Sequence, residues 1–223
     1  ASRPIIFTSR DNVQGLNTAN SSGQWGGVVL SGRAPVTDCI APGATPGTTA
    51  CERQVELRGP DASRLMQMLT PRDLRGMGVG QCYYVPIVDE TGGMLNDPVA
   101  VKLSEDRWWI SIADSDLLLW VKGVANGYRL DVLVDEPDVS PLGIQGPKSD
   151  ELMARVFGNA VRDIRFFRYG VFDFEGRDMV IARSGYSKQG GFEIYVEGGD
   201  IGMPLWGALF KAGEDLQVRA GCP

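Results

Sequence analysis

The chain has 223 residues, 43% of them hydrophobic, a formal net charge of -6 and no histidine. It is long enough to bury a core without disulfide staples, and it lacks the clustered Lys and Arg of a nucleic-acid surface. The missing histidine excludes Ser-His and Cys-His nucleophiles and His-ligated metals. No apolar run approaches the roughly 18 residues of a membrane-spanning helix, so a soluble, cytoplasmic protein is expected, with neither nucleic acid nor membrane as partner. Cys39, Cys51, Cys82 and Cys222 form no CxxC pair, which leaves free structural thiols and no metal site as the reading.

Residues 1–50, with "NTANSSGQWGG" and "APGATPGTTA", are dominated by small and polar residues and are expected to be an irregular or unrelated segment. Denser order begins at Cys51. "RQVELRGPDASRLMQML" predicts a strand ending at Leu57, then Gly-Pro, then a helix with Leu65, Met68 and Leu69 on one face. Three strands follow at 82–88, 98–103 and 107–112, joined as antiparallel hairpins through "DETGG" and "SEDR". "DSDLLLWVKGVANG" reads as a helix capped by Asp114 or Ser115, with Leu118, Leu119 and Lys122 at helical spacing.

"GIQGPKSDELMARVF" repeats the Gly-Pro device before a helix striped by Leu152, Met153 and Val156. This weak duplication predicts an α+β fold in two related halves, 51–139 and a ferredoxin-like 140–198, each with antiparallel strands and packed helices. A hairpin turning at 175–178, a strand through "GGFEIYV" and a helix across "MPLWGALFKAGEDL" complete the chain. Residues 199–223 are expected to return to the first half, and the stop at "RAGCP" suggests a piece of a longer protein.

Two constellations could carry chemistry. "DETGGMLNDPV" brings Asn96 and Asp97 to a strand start near Tyr83 and Tyr84, although Gly-Gly is ordinary turn chemistry and an Asp after a turn usually faces water. In "RSGYSKQGGFEIYV" a carboxylate, Glu193, sits inside a strand otherwise suited to burial. Alternation alone favours a solvated outward face for it. The other reading is a pocket walled by Tyr186 and Tyr195, where two carboxylate oxygens would accept the paired N–H donors of an aminopyrimidine. Trp108 and Trp109 must face opposite sides of their strand. Phe166, Phe167 and Tyr169 either pack a core or sandwich a flat heterocycle. No dinucleotide or P-loop glycine pattern is present.

"RQVELRGPDASRLMQMLTPRDL", "GQCYYVPIVDETGGMLNDPV", "SPLGIQGPKSDELM" and "ARSGYSKQGGFEIYV" resemble, in order and spacing, the tetrahydrofolate-binding aminomethyltransferase superfamily that includes the glycine-cleavage T-protein. T-proteins carry Gly-Tyr-Thr-Gly-Glu where this chain has Gly185-Tyr186-Ser187-Lys188-Gln189-Gly190, and an Asp-Asp pair where it has Asn96-Asp97. Both departures resemble the branch that demethylates dimethylsulfoniopropionate.

The resemblance implies a T-protein-like core without its C-terminal β-rich domain and with the substrate-side N-terminal segment replaced by residues 1–50. It implies tetrahydrofolate as methyl acceptor, a small-molecule sulfonium donor, and 5-methyltetrahydrofolate and methylthiopropionate as products of this one-carbon chemistry. By the same carry-over Glu193 grips the pterin. Tyr84, Phe166, Phe167, Tyr186 and Tyr195 line the folate cavity, Asp97 lies at the reacting centre, and Ser111 is on the substrate side. An aminomethyl-transferring or amine-demethylating relative, or a non-catalytic folate-binding module, are the alternatives.

Overall fold

The computed structural model describes residues 54–112, 117–185 and 190–220. The segment 1–50, the expected caps Asp114 and Ser115, and Tyr186 lie outside the described residues. Within them, β1 (Gln54–Arg58), β2 (Cys82–Tyr84), β5 (Val99–Lys102), β6 (Arg107–Ser111) and β7 (Leu133–Asp135) form one antiparallel sheet in the order β2-β5-β6-β1-β7. A second antiparallel sheet runs β8-β11-β10-β9, from β8 (Val139–Gln145), β9 (Tyr169–Phe174), β10 (Arg177–Ala182) and β11 (Gly191–Glu197). Short strands β3 (Ile87–Val88) and β4 (Met94–Asn96) pair outside both sheets. The strand expected at 82–88 is therefore two, divided at Val85-Pro86.

The helices are α1 (Ala62–Leu69), α2 (Leu117–Gly127), α3 (Ser149–Phe157) and α4 (Gly202–Ala212). Alternation on the strands sorts side chains into three buried clusters, because successive residues point to opposite faces. Val55, Leu57, Trp108 and Ile110 pack beneath α1 and α2 with Leu65, Met66 and Val121. Met179, Ile181, Phe192 and Ile194 pack beneath α3 and α4 with Met153 and Leu205. The opposite faces meet each other: Cys82, Val101 and Trp109 of the first sheet lie against Val139, Ala182 and Tyr195 of the second. The result is an α+β fold of four layers, helices outside and two sheets within.

Trp108 and Trp109 face opposite sides as alternation requires. Helix details differ from expectation. Met66 rather than Met68 belongs to the buried stripe of α1, and Leu117, Val121 and Ala125 rather than Leu119 form that of α2. Pro60 and Pro147 each stand two residues before the first helical residue instead of within the first turn. Helix α4 does not return to the first half; its Leu205 and Leu209 are buried in the second core, against α3. None of the described helices is long and apolar enough to cross a membrane.

The two sheets are tied at both side margins. At one, the Cys82 N–H donates to the Phe167 carbonyl at 3.0 Å and the Tyr169 N–H to the Gly80 carbonyl at 3.1 Å, which stitches β2 to the start of β9. At the other, the chain itself passes from β7 to β8 through residues 136–138.

Candidate functional site

Register places four side chains in one row at one end of the five-stranded sheet. Gln54 lies opposite Ser111, Ser111 opposite Val99, and Val99 opposite Tyr84. Directly paired residues share a face, and this face is the one that Val99, Val101 and Trp109 turn toward the second sheet. Three inter-strand steps give the row a width of about 14 Å. Its Tyr84 end is half exposed and its Gln54 end is buried. At the open end the Tyr84 hydroxyl donates to Asp97 Oδ2 at 2.6 Å, and Arg72 Nη1 donates to the Tyr84 carbonyl at 2.6 Å.

On the facing sheet the strand that carries Glu193 is sided by its apolar members. Phe192, Ile194 and Val196 belong to the core beneath the helices, so Glu193 and Tyr195 turn into the space between the sheets. The outward solvated face favoured by alternation alone is not adopted, because a second sheet covers that face. Glu193 has Ala182 and Gly143 as its cross-strand neighbours, two of the smallest residues, so neither flanking strand crowds the carboxylate with a large side chain. Ser184 Oγ donates to Glu193 Oε2 at 2.5 Å. Burial pushes the Glu193 carboxyl above the usual range, and the Ser184 and Tyr195 hydroxyls pull it part of the way back.

Tyr195 is fully buried, its ring 5.5 Å from that of Trp109 and tilted by 33°. Its hydroxyl lies beside Glu193 and Ser111 without a well-aligned hydrogen bond to either, and burial first, then the Glu193 charge, holds it well above its ordinary pKa. The expected aromatic wall is corrected accordingly: the ring is closed against Trp109, so Tyr195 offers the layer a hydroxyl. Burial and the Glu193 charge push the nearby Cys82 thiol up to about 12, against the pull of Arg168, which makes it a packing residue.

The loop leading into β11 is fixed at its base by a side chain that motif reading did not single out. Gln145 Nε2 donates to the carbonyls of Ser184 and Phe192, each at 3.3 Å. Gly185 and Gly191 lie flat against it; a Cβ on Gly191 would fall 2.4 Å from the Ile144 carbonyl oxygen. This clasp sets Ser184, and through it one oxygen of Glu193. Gly185 and Gly191 were the available signal for it, since close backbone approach is what glycine permits.

The structure thus brings Glu193, Tyr195 and Ser111 together inside the layer and pairs Tyr84 with Asp97 at its open end. Phe167 reaches the layer's edge with a left-handed backbone, φ 57°. Phe166 stands outward, 70% exposed and edge-on to Phe167 at 4.7 Å, so it does not line the layer. Gln54, Gln145 and Ser184 are polar residues of the site that motif spacing missed.

This arrangement of sheets has known counterparts. The family described as the GCVT N-terminal domain matches residues 49–222. The chain belongs to that family. Among curated relatives it is 66% identical over 174 residues to the dimethylsulfoniopropionate demethylase DmdA of Ruegeria pomeroyi, covering 78% of this chain and 48% of that protein. It is 29% identical over 171 residues to an aminomethyltransferase of Lysinibacillus sphaericus, covering 74% and 46%. The crystal structure of the glycine cleavage system aminomethyltransferase T from Bartonella henselae superposes with a TM-score of 0.61 at 25% identity, over 70% of this chain and 42% of that one. The chain spans about half the length of the curated relatives it matches. The GCVT-type fold therefore accounts for the four-layer arrangement.

Proposed function

We propose that this GCVT-family chain takes part in a tetrahydrofolate-dependent methyl transfer from a sulfonium donor, dimethylsulfoniopropionate, giving 5-methyltetrahydrofolate and methylthiopropionate. The observation that carries the reading is Glu193, turned inward between two sheets, flanked by small cross-strand neighbours and held by Ser184. A part-buried carboxylate with no cationic partner among the described residues is costly, and a ligand presenting paired N–H donors relieves that cost. The aminopyrimidine edge of a reduced pterin is such a ligand, so the residues fit the group. Tetrahydrofolate, when bound, supplies a ring nitrogen as methyl acceptor.

The chain's own residues have separable tasks in this reading. Glu193 accepts the pterin's N–H groups, and Ser184 orients one of its oxygens. Ser111 and the Tyr195 hydroxyl face the same space from the two sheets. Asp97, fixed by the Tyr84 hydroxyl, presents its carboxyl group at the open end, where a cationic donor is drawn in and its leaving thioether is neutral. Sulfonium demethylation needs no carboxylate pair to manage a substrate amine, and Asn96, buried beside Asp97, is consistent with that simpler task. The 66% identity to a protein named for this reaction supports the same donor class.

Single-turnover mixing with tetrahydrofolate and either dimethylsulfoniopropionate or an amine donor tests the reading. Transfer from the sulfonium is expected; transfer from the amine alone would replace it with an aminomethyltransferase or amine demethylase, and binding without transfer with a folate-binding module. Glu193→Ala is expected to weaken tetrahydrofolate binding about tenfold to a hundredfold, as loss of charge-assisted hydrogen bonds implies.

A further inference from the structure

Gln54 is only 1% exposed, and neither its Nε2 nor its Oε1 has a hydrogen-bond partner among the described residues. Buried amides are normally satisfied, so an orphan of both polarities needs a cause. Neighbours show how unusual it is here. Glu56, two residues along the same strand and on the same face, accepts from Arg107 Nε at 2.7 Å and Trp109 Nε1 at 3.0 Å, with Arg58 Nε at 2.8 Å. Gln145 donates to two backbone carbonyls. Gln54 instead stands beside Ser111 at the buried end of the site row, facing the sheet whose Tyr195 hydroxyl is also without an aligned partner.

We infer that Gln54 is a ligand-recognising residue whose primary amide pairs with a ring carbonyl and an adjacent N–H of the bound pterin. The inference rests on the folate reading above and assigns a residue to it. The chemistry of the orphan selects the ligand group. A carboxylate, such as that of the methyl donor, accepts only; it would satisfy Nε2 and leave Oε1 stranded. A reduced pterin presents its ring carbonyl beside an N–H of the reduced ring, so that edge answers both amide atoms while the pyrimidine N–H and the amino group remain for Glu193. The two sheets would then hold one flat ring from opposite sides, by an amide and by an acid.

Calorimetric titration with tetrahydrofolate, paired with thermal unfolding of the ligand-free chain, tests this for wild type, Gln54→Met, Gln54→Asn and Glu193→Ala. Methionine keeps the shape and removes the orphan atoms. Gln54→Met is expected to bind tetrahydrofolate about tenfold to a hundredfold more weakly, yet to unfold at the same temperature as wild type or about 2–4 °C higher. Gln54→Asn, with its amide drawn back, is expected to fall between. A glutamine serving only the fold would do the opposite, lowering the unfolding temperature and leaving affinity intact, and that result overturns the inference. Unchanged tetrahydrofolate affinity with impaired use of the sulfonium overturns the pterin assignment. Wild type that folds without binding tetrahydrofolate removes the functional reading itself, whereas wild-type binding lost in Glu193→Ala but kept in Gln54→Met and Gln54→Asn removes only the role given to Gln54.

Discussion

Glu193 shows how far one residue's surroundings decide its chemistry. Its carboxyl is raised by burial in the folded chain, so the folded state holds its proton more tightly than the unfolded state. The sign follows: its contribution to stability is fully present below the ordinary carboxylate range and is lost as pH rises through the folded value. Glu193→Gln should therefore gain on wild type as pH climbs out of the acid range, and denaturant titrations from pH 4 to 8 measure the gap. A gap that stayed constant across that range would contradict the burial argument. For the ligand the sign reverses, because N–H donors favour the ionised acid. Tetrahydrofolate affinity in wild type is expected to rise with pH over the same window and to be flat in Glu193→Gln.

At the scale of elements, what was legible in the sequence was what alternation and turn chemistry report. The β9–β10 hairpin is an example: Glu175 and Gly176 both have positive φ, 52° and 82°, as a two-residue turn of the mirror-image type requires. Strand β8 was legible only as the strand that the repeated strand, Gly-Pro, helix device calls for, because Pro141 and Gly143 break its alternation; it survives as an edge strand, where a missing N–H costs no ladder bond. The polar members of the site escaped for a related reason. Gln145 acquires meaning from carbonyls 39 and 47 residues away, Ser184 from a carboxylate across the loop, and Gln54 from having no partner among the described residues, and motif spacing carries no such information. Glu193 and Tyr195 were raised by the strand itself and Ser111 through the family resemblance, and the facing sheet explains why alternation alone misread the first.

The Gln145 clasp belongs to this scale too. Gly191→Ala sets a methyl against the Ile144 backbone carbonyl, which a side-chain rotation cannot relieve. A loss of about 1–3 kcal/mol is expected from overpacking, together with weaker tetrahydrofolate binding as Ser184 shifts. Thermal unfolding and titration of one variant read both effects, and unchanged values would show the clasp to be incidental.

For the whole molecule, the layer between the sheets couples stability to the site. Trp109 is fully buried there, touches Tyr195, and donates to the enclosed Glu56 carboxylate. Trp109→Ala should cost about 3–5 kcal/mol by cavity formation alone, measured by chemical denaturation. Trp108→Ala, on the opposite face of the same strand, should cost a similar amount and disturb folate affinity less. Equal effects on binding from both would mean that the layer has no privileged relation to the site.

The ties at both side margins fix the direction of traffic. With a hydrogen-bonded seam on one flank and a covalent connection on the other, the flat ligand of the folate reading would enter lengthwise, parallel to the strands, at the doorway where Val99 stands between Tyr84 and Ser111. Val99→Trp would narrow that doorway without touching Glu193 or Gln54. Stopped-flow association with tetrahydrofolate should then slow more than dissociation accelerates.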